Sequence, residues 1–319
     1  MFLQQIKLKY IFVFIKMKKK SNLTIVIVTY LTDKKILLNC LKSIDKKFKV
    51  LIVENSNKFR DKKFFLKKFN NIEILCTGLN LGYGKGNNFG LEKVQTDYAL
   101  ILNPDIVCKN DFFGKITKII NKNKSFSIIG CQYTNETAYL PAGFFDKKKH
   151  RIFEKSFLKK NKKGLTKVEW VTGCSMLINL NKFKNKNIFD NNYFLYFEEF
   201  DLCKSIIDKK GSIYSSGDLK VHHMGFKGSF GANSSLKSES SKLRDWHWMW
   251  SYFYFYKKNY NYIYALYKVS GKFFKSFLKA IFYTLSFNKL NRDKYLFRFL
   301  GLLFSIVGIK SNYRGRRFS

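Results

Sequence analysis

Residues 24–30 read TIVIVTY. An unbroken β-branched run of this kind suits a strand buried on both faces, which places it inside a parallel sheet covered by helices on either side. Downstream, Ile36, Leu37, Cys40, Leu41 and Ile44 recur at a helical period, and Val50 to Val53 (VLIV) forms a second buried strand. The three segments make a βαβ unit. Ile72 to Leu75 and Tyr98 to Leu102 add further strands, with a helix expected from about Asn88 to Val94 between them. The fold class is therefore α/β, a mainly parallel sheet with flanking helices.

In open sheets of this class, ligands bind beyond the carboxyl ends of the strands. Polar residues stand at those ends: Thr29 and Tyr30, then Glu54, Asn55 and Ser56, then Asn103, Pro104 and Asp105. Singly, each reads as a turn or cap residue. The run NLGYGKGNNFG (80–90) has four glycines in eleven residues and matches neither the dinucleotide fingerprint nor the phosphate-binding loop. LILNPD (100–105) carries an amide and a carboxylate two residues apart on an extended chain, a pair suited to a hard cation shared with substrate phosphates. YFEEFDLC (196–203) gathers Glu198, Glu199 and Asp201 among aromatic residues, where mutual repulsion and burial raise at least one pKa toward the range of a general base. VHHMGFKGS (221–229) holds half of the chain's 4 histidines, and one of its imidazoles is a candidate for a metal shell or a diphosphate contact.

In this order, with WVTGCSMLI (170–178) and KGSIYSSGDLKVHHMG (210–225), the motifs span roughly residues 21–230. As a set they resemble an inverting family 2 glycosyltransferase of the bacterial rhamnosyltransferase-like branch. The resemblance implies the GT-A nucleotide-diphospho-sugar transferase fold, Rossmann-like, and a set of roles. Thr29, Tyr30, Glu54 and Asn55 surround the nucleotide, with Asn80, Gly82, Lys85 and Asn88 nearby. Asn103 and Asp105 stand at the family's metal motif, with Asp105 as the main ligand and His222 as the late histidine. Glu199 takes the place of the catalytic base, and Gly173, Glu198 and Asp201 are assigned to the acceptor or donor side. Three positions depart from the pattern. Asn103 replaces a carboxylate, Glu54 replaces an aspartate, and Glu199 is one methylene longer than the common aspartate. The implied cofactor is Mg²⁺ or Mn²⁺. The implied partners are a dTDP- or UDP-linked sugar, with rhamnose as the branch's sugar, and a glycan or lipid-linked acceptor of surface polysaccharide synthesis.

Composition weighs the rival classes. A formal net charge of +38 attracts polyanions, yet the lysines are dispersed and no nucleic-acid-binding motif is present. Nucleic acid is not the expected partner, because that reading leaves LNPD and the acidic cluster unexplained. A catalytically silent homologue is the other alternative, prompted by Glu54 and Asn103. The 6 cysteines are scattered without metal-ligand spacing and are read as reduced and cytosolic.

Three regions are expected: residues 1–20 as an N-terminal extension, with Met17 as a second start; 21–235 as the catalytic domain; and 236–319 as a basic-aromatic helical extension. Residues 142–168 are read as a mobile lysine-rich loop. Within the extension, Phe273, Phe274, Phe277, Leu278, Ile281, Phe282 and Leu285 fill half a helical wheel with Lys272, Lys275 and Lys279 opposite. That pattern fits either packing on the catalytic domain or a helix lying on an anionic membrane, peripheral on its inner face.

Overall fold

The computed structural model describes residues 22–109, 111–134, 141–145, 163–224 and 234–314. The expected N-terminal extension, residues 146–162 of the lysine-rich stretch and residues 225–229 of the histidine motif lie outside the described residues.

The first half alternates as the sequence requires: β1 (Leu23–Thr29), α1 (Lys34–Lys42), β2 (Lys49–Glu54), α2 (Lys62–Lys68), β3 (Ile72–Cys76), α3 (Tyr83–Glu92) and β4 (Tyr98–Leu102). Asp33 fixes the start of α1 by accepting from the backbone N–H groups of Lys35 and Ile36. Next come β5 (Ile106–Cys108), α4 (Phe112–Lys122), β6 (Ile128–Tyr133), β7 (Ala142–Gly143), β8 (Leu165–Val168), β9 (Trp170–Val171), β10 (Ser175–Asn179), α5 (Glu198–Asp208) and β11 (Ile213–His223). The main sheet runs β3-β2-β1-β4-β10-β6-β11-β5, with β8 added on β11 and β7 paired to β9 apart from it. β1 lies parallel to β2 and β4, and β10 enters antiparallel between β4 and β6. The parallel block brings the ends of β1, β2 and β4 to one edge, with Thr29 paired to Glu54.

Alternation along β1 sorts the core into two layers. Leu23, Ile25 and Ile27 meet the α1, α2 and α4 side, whereas Val26 faces the layer that holds Leu91 and Val94. The second layer continues without a break into the C-terminal helices α6 (Ser234–Asn259), α7 (Tyr262–Leu285) and α8 (Lys289–Ile306) through Met249, Phe253, Phe255, Val269 and Leu302. The C-terminal region thus shares its core with the sheet. Lys258 ties the two covalently distant parts, reaching Asp201 at 2.6 Å and Asp190 at 2.7 Å.

The glycine-rich run is less a loop than a helix. α3 begins at Tyr83, and its glycines let it press on the sheet: a Cβ on Gly90 would lie 2.6 Å from Val26 Cγ1 and one on Gly86 2.9 Å from Val28 Cγ1. Gly82, at φ +83°, makes the turn into the helix where a side chain would strike the Phe194 carbonyl.

Candidate active site

A cleft of about 750 Å³ opens at the carboxyl ends of β1, β2 and β4. Its lining includes Thr29, Tyr30, Asn55, Asn80, Gly82, Asn103, Asp105, Gly173, Glu198 and Glu199, residues up to 170 positions apart in sequence. On the nucleotide side, the Asn80 amide hydrogen-bonds the Tyr30 hydroxyl. Asn80 Oδ1 also accepts from Gly82 N at 3.0 Å, and Asn55 Nδ2 donates to Gly82 O at 2.8 Å. Glu54 supports this edge from behind, accepting from Thr29 Oγ1 at 2.6 Å and Ser56 Oγ at 2.8 Å. Burial raises its pKa above the ordinary carboxylate value.

The turn after β4 is held by Asn103 N donating to Cys174 O at 2.9 Å and Ile106 N to Asn103 O at 3.1 Å. Asp105 is 2% exposed, and Met224 N donates to its carbonyl at 2.9 Å. That bond fastens the end of β11 beside it and brings His223 Nε2 to 3.6 Å from Asp105 Oδ2. The imidazole in the cleft is therefore that of His223; His222, the residue singled out from the sequence, does not line it. Adjacent strand residues point to opposite faces, so a one-position error in a His-His pair exchanges the two.

Glu198 and Glu199 open α5 behind two residues of left-handed backbone, Tyr196 at φ +69° and Phe197 at φ +71°. Such conformations cost side-chain-bearing residues roughly 1–3 kcal/mol each. They persist because Phe197 is fully buried among Phe200, Trp248, Tyr252 and Phe255, with ring centroids 5.2–5.9 Å away. Burial pushes the Glu199 carboxyl up to about 7. Glu198 is raised well above its ordinary value by burial and by its neighbour Glu199. It is 3% exposed, and its Oε2 has no hydrogen-bond partner among the described residues, whereas Glu199 keeps partial exposure. The α5 N-terminus favours the ionised forms, but burial outweighs it.

Three other expected site residues are placed elsewhere. Asp201 points away from the cleft into its ion pair with Lys258 and accepts from Asn259 Nδ2 at 2.9 Å. Asn88 is buried at the back of α3, where it donates to Phe189 O at 2.8 Å and accepts from Phe189 N at 3.0 Å. Lys85 lines a smaller pocket of about 380 Å³ beyond Phe194. Tyr83, whose hydroxyl donates to Gly173 O, Tyr133, Cys174, Arg244 and Trp248 join the cleft without having been expected there.

Asp105, the Asn103 amide and the His223 imidazole supply hard oxygen and borderline nitrogen donors at one edge of the cleft. Among the described residues no three His, Cys, Asp or Glu side chains form a closed cage. This donor set fits a Mg²⁺ or Mn²⁺ ion that completes its shell with substrate phosphate oxygens.

Comparison with known proteins bears on the family and the fold. A rhamnosyltransferase, WbbL of Escherichia coli (strain K12), is 26% identical over 232 residues, covering 66% of this chain and 83% of that protein. A low-salt glycan biosynthesis hexosyltransferase of Haloferax volcanii, Agl10, is 25% identical over 192 residues, covering 57% and 61%. Among solved structures, Staphylococcus aureus TarS 1–349 in complex with UDP-GlcNAc superposes with a TM-score of 0.51 at 10% identity, covering 90% of this chain and 92% of the other. The mannosyltransferase PcManGT of Pyrobaculum calidifontis, in complex with GDP-Man and Mn²⁺, gives 0.50 at 9% identity over 91% and 88%. The fold is GT-A. The glycosyl transferase family 2 model matches residues 24–185, about half of the chain, and the chain belongs to that family of glycosyltransferases.

Proposed function

We propose that the protein transfers a hexosyl group, with rhamnose the favoured sugar, from a dTDP- or UDP-linked donor to a glycan or lipid-linked acceptor of surface polysaccharide synthesis, with inversion. The observation that carries this reading is the meeting in one cleft of Asp105, at the end of the parallel block, and Glu199, whose carboxyl is pushed up to about 7. The relative named as a rhamnosyltransferase supports the choice of sugar.

Glu199 accepts the proton of an acceptor hydroxyl; its pKa near neutrality matches that task and its partial exposure gives it access to the cleft. The acceptor oxygen forms a bond to the anomeric carbon as the bond to the donor phosphate breaks. The electron pair leaves with the nucleoside diphosphate, and one displacement inverts the centre. Glu198, whose carboxyl is raised well above its ordinary value by burial and by its neighbour Glu199, limits the negative charge that the pair carries. Thr29, Tyr30, Asn55 and Asn80 orient the nucleotide, and Asp105, His223 and Asn103 would hold the divalent cation. When bound, that cation neutralises the charge of the leaving diphosphate.

Peripheral attachment to the inner face of an anionic membrane completes the reading. On α7 the apolar half of the wheel divides. Phe273 and Phe277 pack on Phe299 of α8 with ring centroids 4.9 and 5.2 Å away, while Phe274 (62% exposed), Leu278, Phe282 and Leu285 (74%) face outward. The turn beyond adds Phe287 at 95% exposure. Lys272, Lys275 and Lys279 add positive charge to the same helix, and an anionic surface complements it. Among the described residues no helix is long and apolar enough to cross a membrane.

Calorimetric titration with a panel of UDP-, dTDP- and GDP-sugars, each with and without Mg²⁺, tests the donor assignment. Saturable, Mg²⁺-dependent binding of at least one member is expected; no binding by any member would refute it.

A further inference from the structure

Of the 60 lysines and arginines in the chain, Arg244 is the one that lines the catalytic cleft among the described residues. The carboxylates of the same cleft are Asp105, Glu198 and Glu199. In so basic a protein this is a local inversion of charge, and it follows from the chemistry. A flexible ammonium within reach of Glu199 would pair with it and draw its pKa down, removing the basicity that burial creates. A cleft lined by three carboxyl groups nevertheless has to admit phosphate. It needs a cation fixed at the phosphate and away from the base.

Arg244 is the side chain that brings such a charge into the cleft. It lies on α6, next to Leu243, which packs with Phe194 against Tyr30 and Leu31 at the nucleotide end of the cleft. One turn later on the same helix, Trp248 packs edge-on against Tyr196 at 5.1 Å and Phe197 at 5.2 Å, the two residues that lead into Glu198 and Glu199. The residue four positions before Trp248 is thereby anchored between the two ends of the site, on a helix whose core is continuous with the sheet. A guanidinium stays charged at all working pH values and offers a planar fork to two phosphate oxygens.

We propose that Arg244 is the phosphate-binding side chain of the cleft, holding a phosphate of the bound substrate. The assignment rests on the nucleotide-sugar reading above and adds the C-terminal helix as a contributor to substrate binding. Both the donor diphosphate and a lipid diphosphate on the acceptor present this chemistry.

The full chain and its Arg244→Gln and Arg244→Lys variants are titrated with UDP, dTDP and GDP in the presence of Mg²⁺, and separately with geranyl diphosphate; melting curves check the fold. Loss of a charged hydrogen-bonding partner is expected to weaken the affected ligand about tenfold or more in Arg244→Gln, with partial recovery in Arg244→Lys. Weakening confined to the nucleotides identifies the donor as the source of the phosphate, and weakening confined to geranyl diphosphate identifies the acceptor. Wild-type protein that binds these ligands, alongside an Arg244→Gln protein that binds each within twofold as well, overturns the inference and leaves the nucleotide-sugar reading standing. Failure of the wild type to bind any nucleotide overturns both.

Discussion

Replacing Glu199 by Gln separates catalysis from folding, because the two respond in opposite directions. In the folded protein this carboxyl is pushed up to about 7 from an ordinary value of 4.5. At about 1.4 kcal/mol per pKa unit, holding it ionised costs the fold roughly 3 kcal/mol above pH 7. The sign follows from proton binding. Below pH 4.5 the group is protonated in both folded and unfolded chains and contributes nothing; as pH rises from 4.5 to 7 the unfolded chain gives up its proton first and stability falls. Glutamine stays neutral throughout. Glu199→Gln is therefore expected to melt about 6 °C higher than wild type at pH 8.5 and at nearly the same temperature at pH 4.5, taking about 2 °C per kcal/mol for a chain of this size. Transfer activity is expected to fall by roughly 10²–10⁴ with the loss of the general base. Scanning calorimetry at the two pH values, beside an assay of nucleoside diphosphate release, reads both effects. A variant that kept full activity, or that melted below wild type at pH 8.5, would refute the reasoning.

Other consequences follow from packing and charge. Lys258→Met leaves Asp201 and Asp190 without their shared cation, and denaturant unfolding is expected to show a loss of about 2 kcal/mol; an unchanged midpoint would mean that the α5–α6 ion pair is inert. Gly90→Ala places a methyl group where Val26 and Val53 already stand, and the same assay should register a loss of about 1–3 kcal/mol from overpacking. Phe282→Ser, Leu285→Ser and Phe287→Ser combined should abolish flotation with vesicles containing anionic lipid while leaving turnover of a soluble donor unchanged; flotation equal to wild type would place the membrane contact elsewhere.

The parallel half of the sheet was legible because its strands are buried on both faces and are written as continuous apolar runs, TIVIVTY and VLIV, that few other environments permit. The polar residues that end those strands were legible for the same reason, since strand ends converge at one edge of such a sheet. NLGYGKGNNFG was harder. Its glycines suggest a loop on local grounds, yet they serve the close approach of α3 to Val26 and Val28, a tertiary demand that no local propensity expresses. Asp201 and Asn88 carry the composition of site residues but face inward to Lys258 and to the Phe189 backbone, and those partners lie 57 and 101 positions away. The choice between His222 and His223 depends on the phase of β11, which a bulge between Ser216 and Lys220 resets. Arg244 and Trp248 had a signal in their i, i+4 spacing within an aromatic helix, but nothing in the sequence indicates that this helix returns to the cleft.

Release of nucleoside diphosphate during turnover of UDP-, dTDP- and GDP-sugars, measured with Mg²⁺ and again after EDTA, tests most directly the claim that this cleft is a metal-assisted glycosyl-transfer site. At least one donor should be consumed at a rate that EDTA abolishes and Asp105→Asn lowers by at least a hundredfold. Turnover equal in EDTA and in Mg²⁺, or undiminished in Asp105→Asn, would contradict the account.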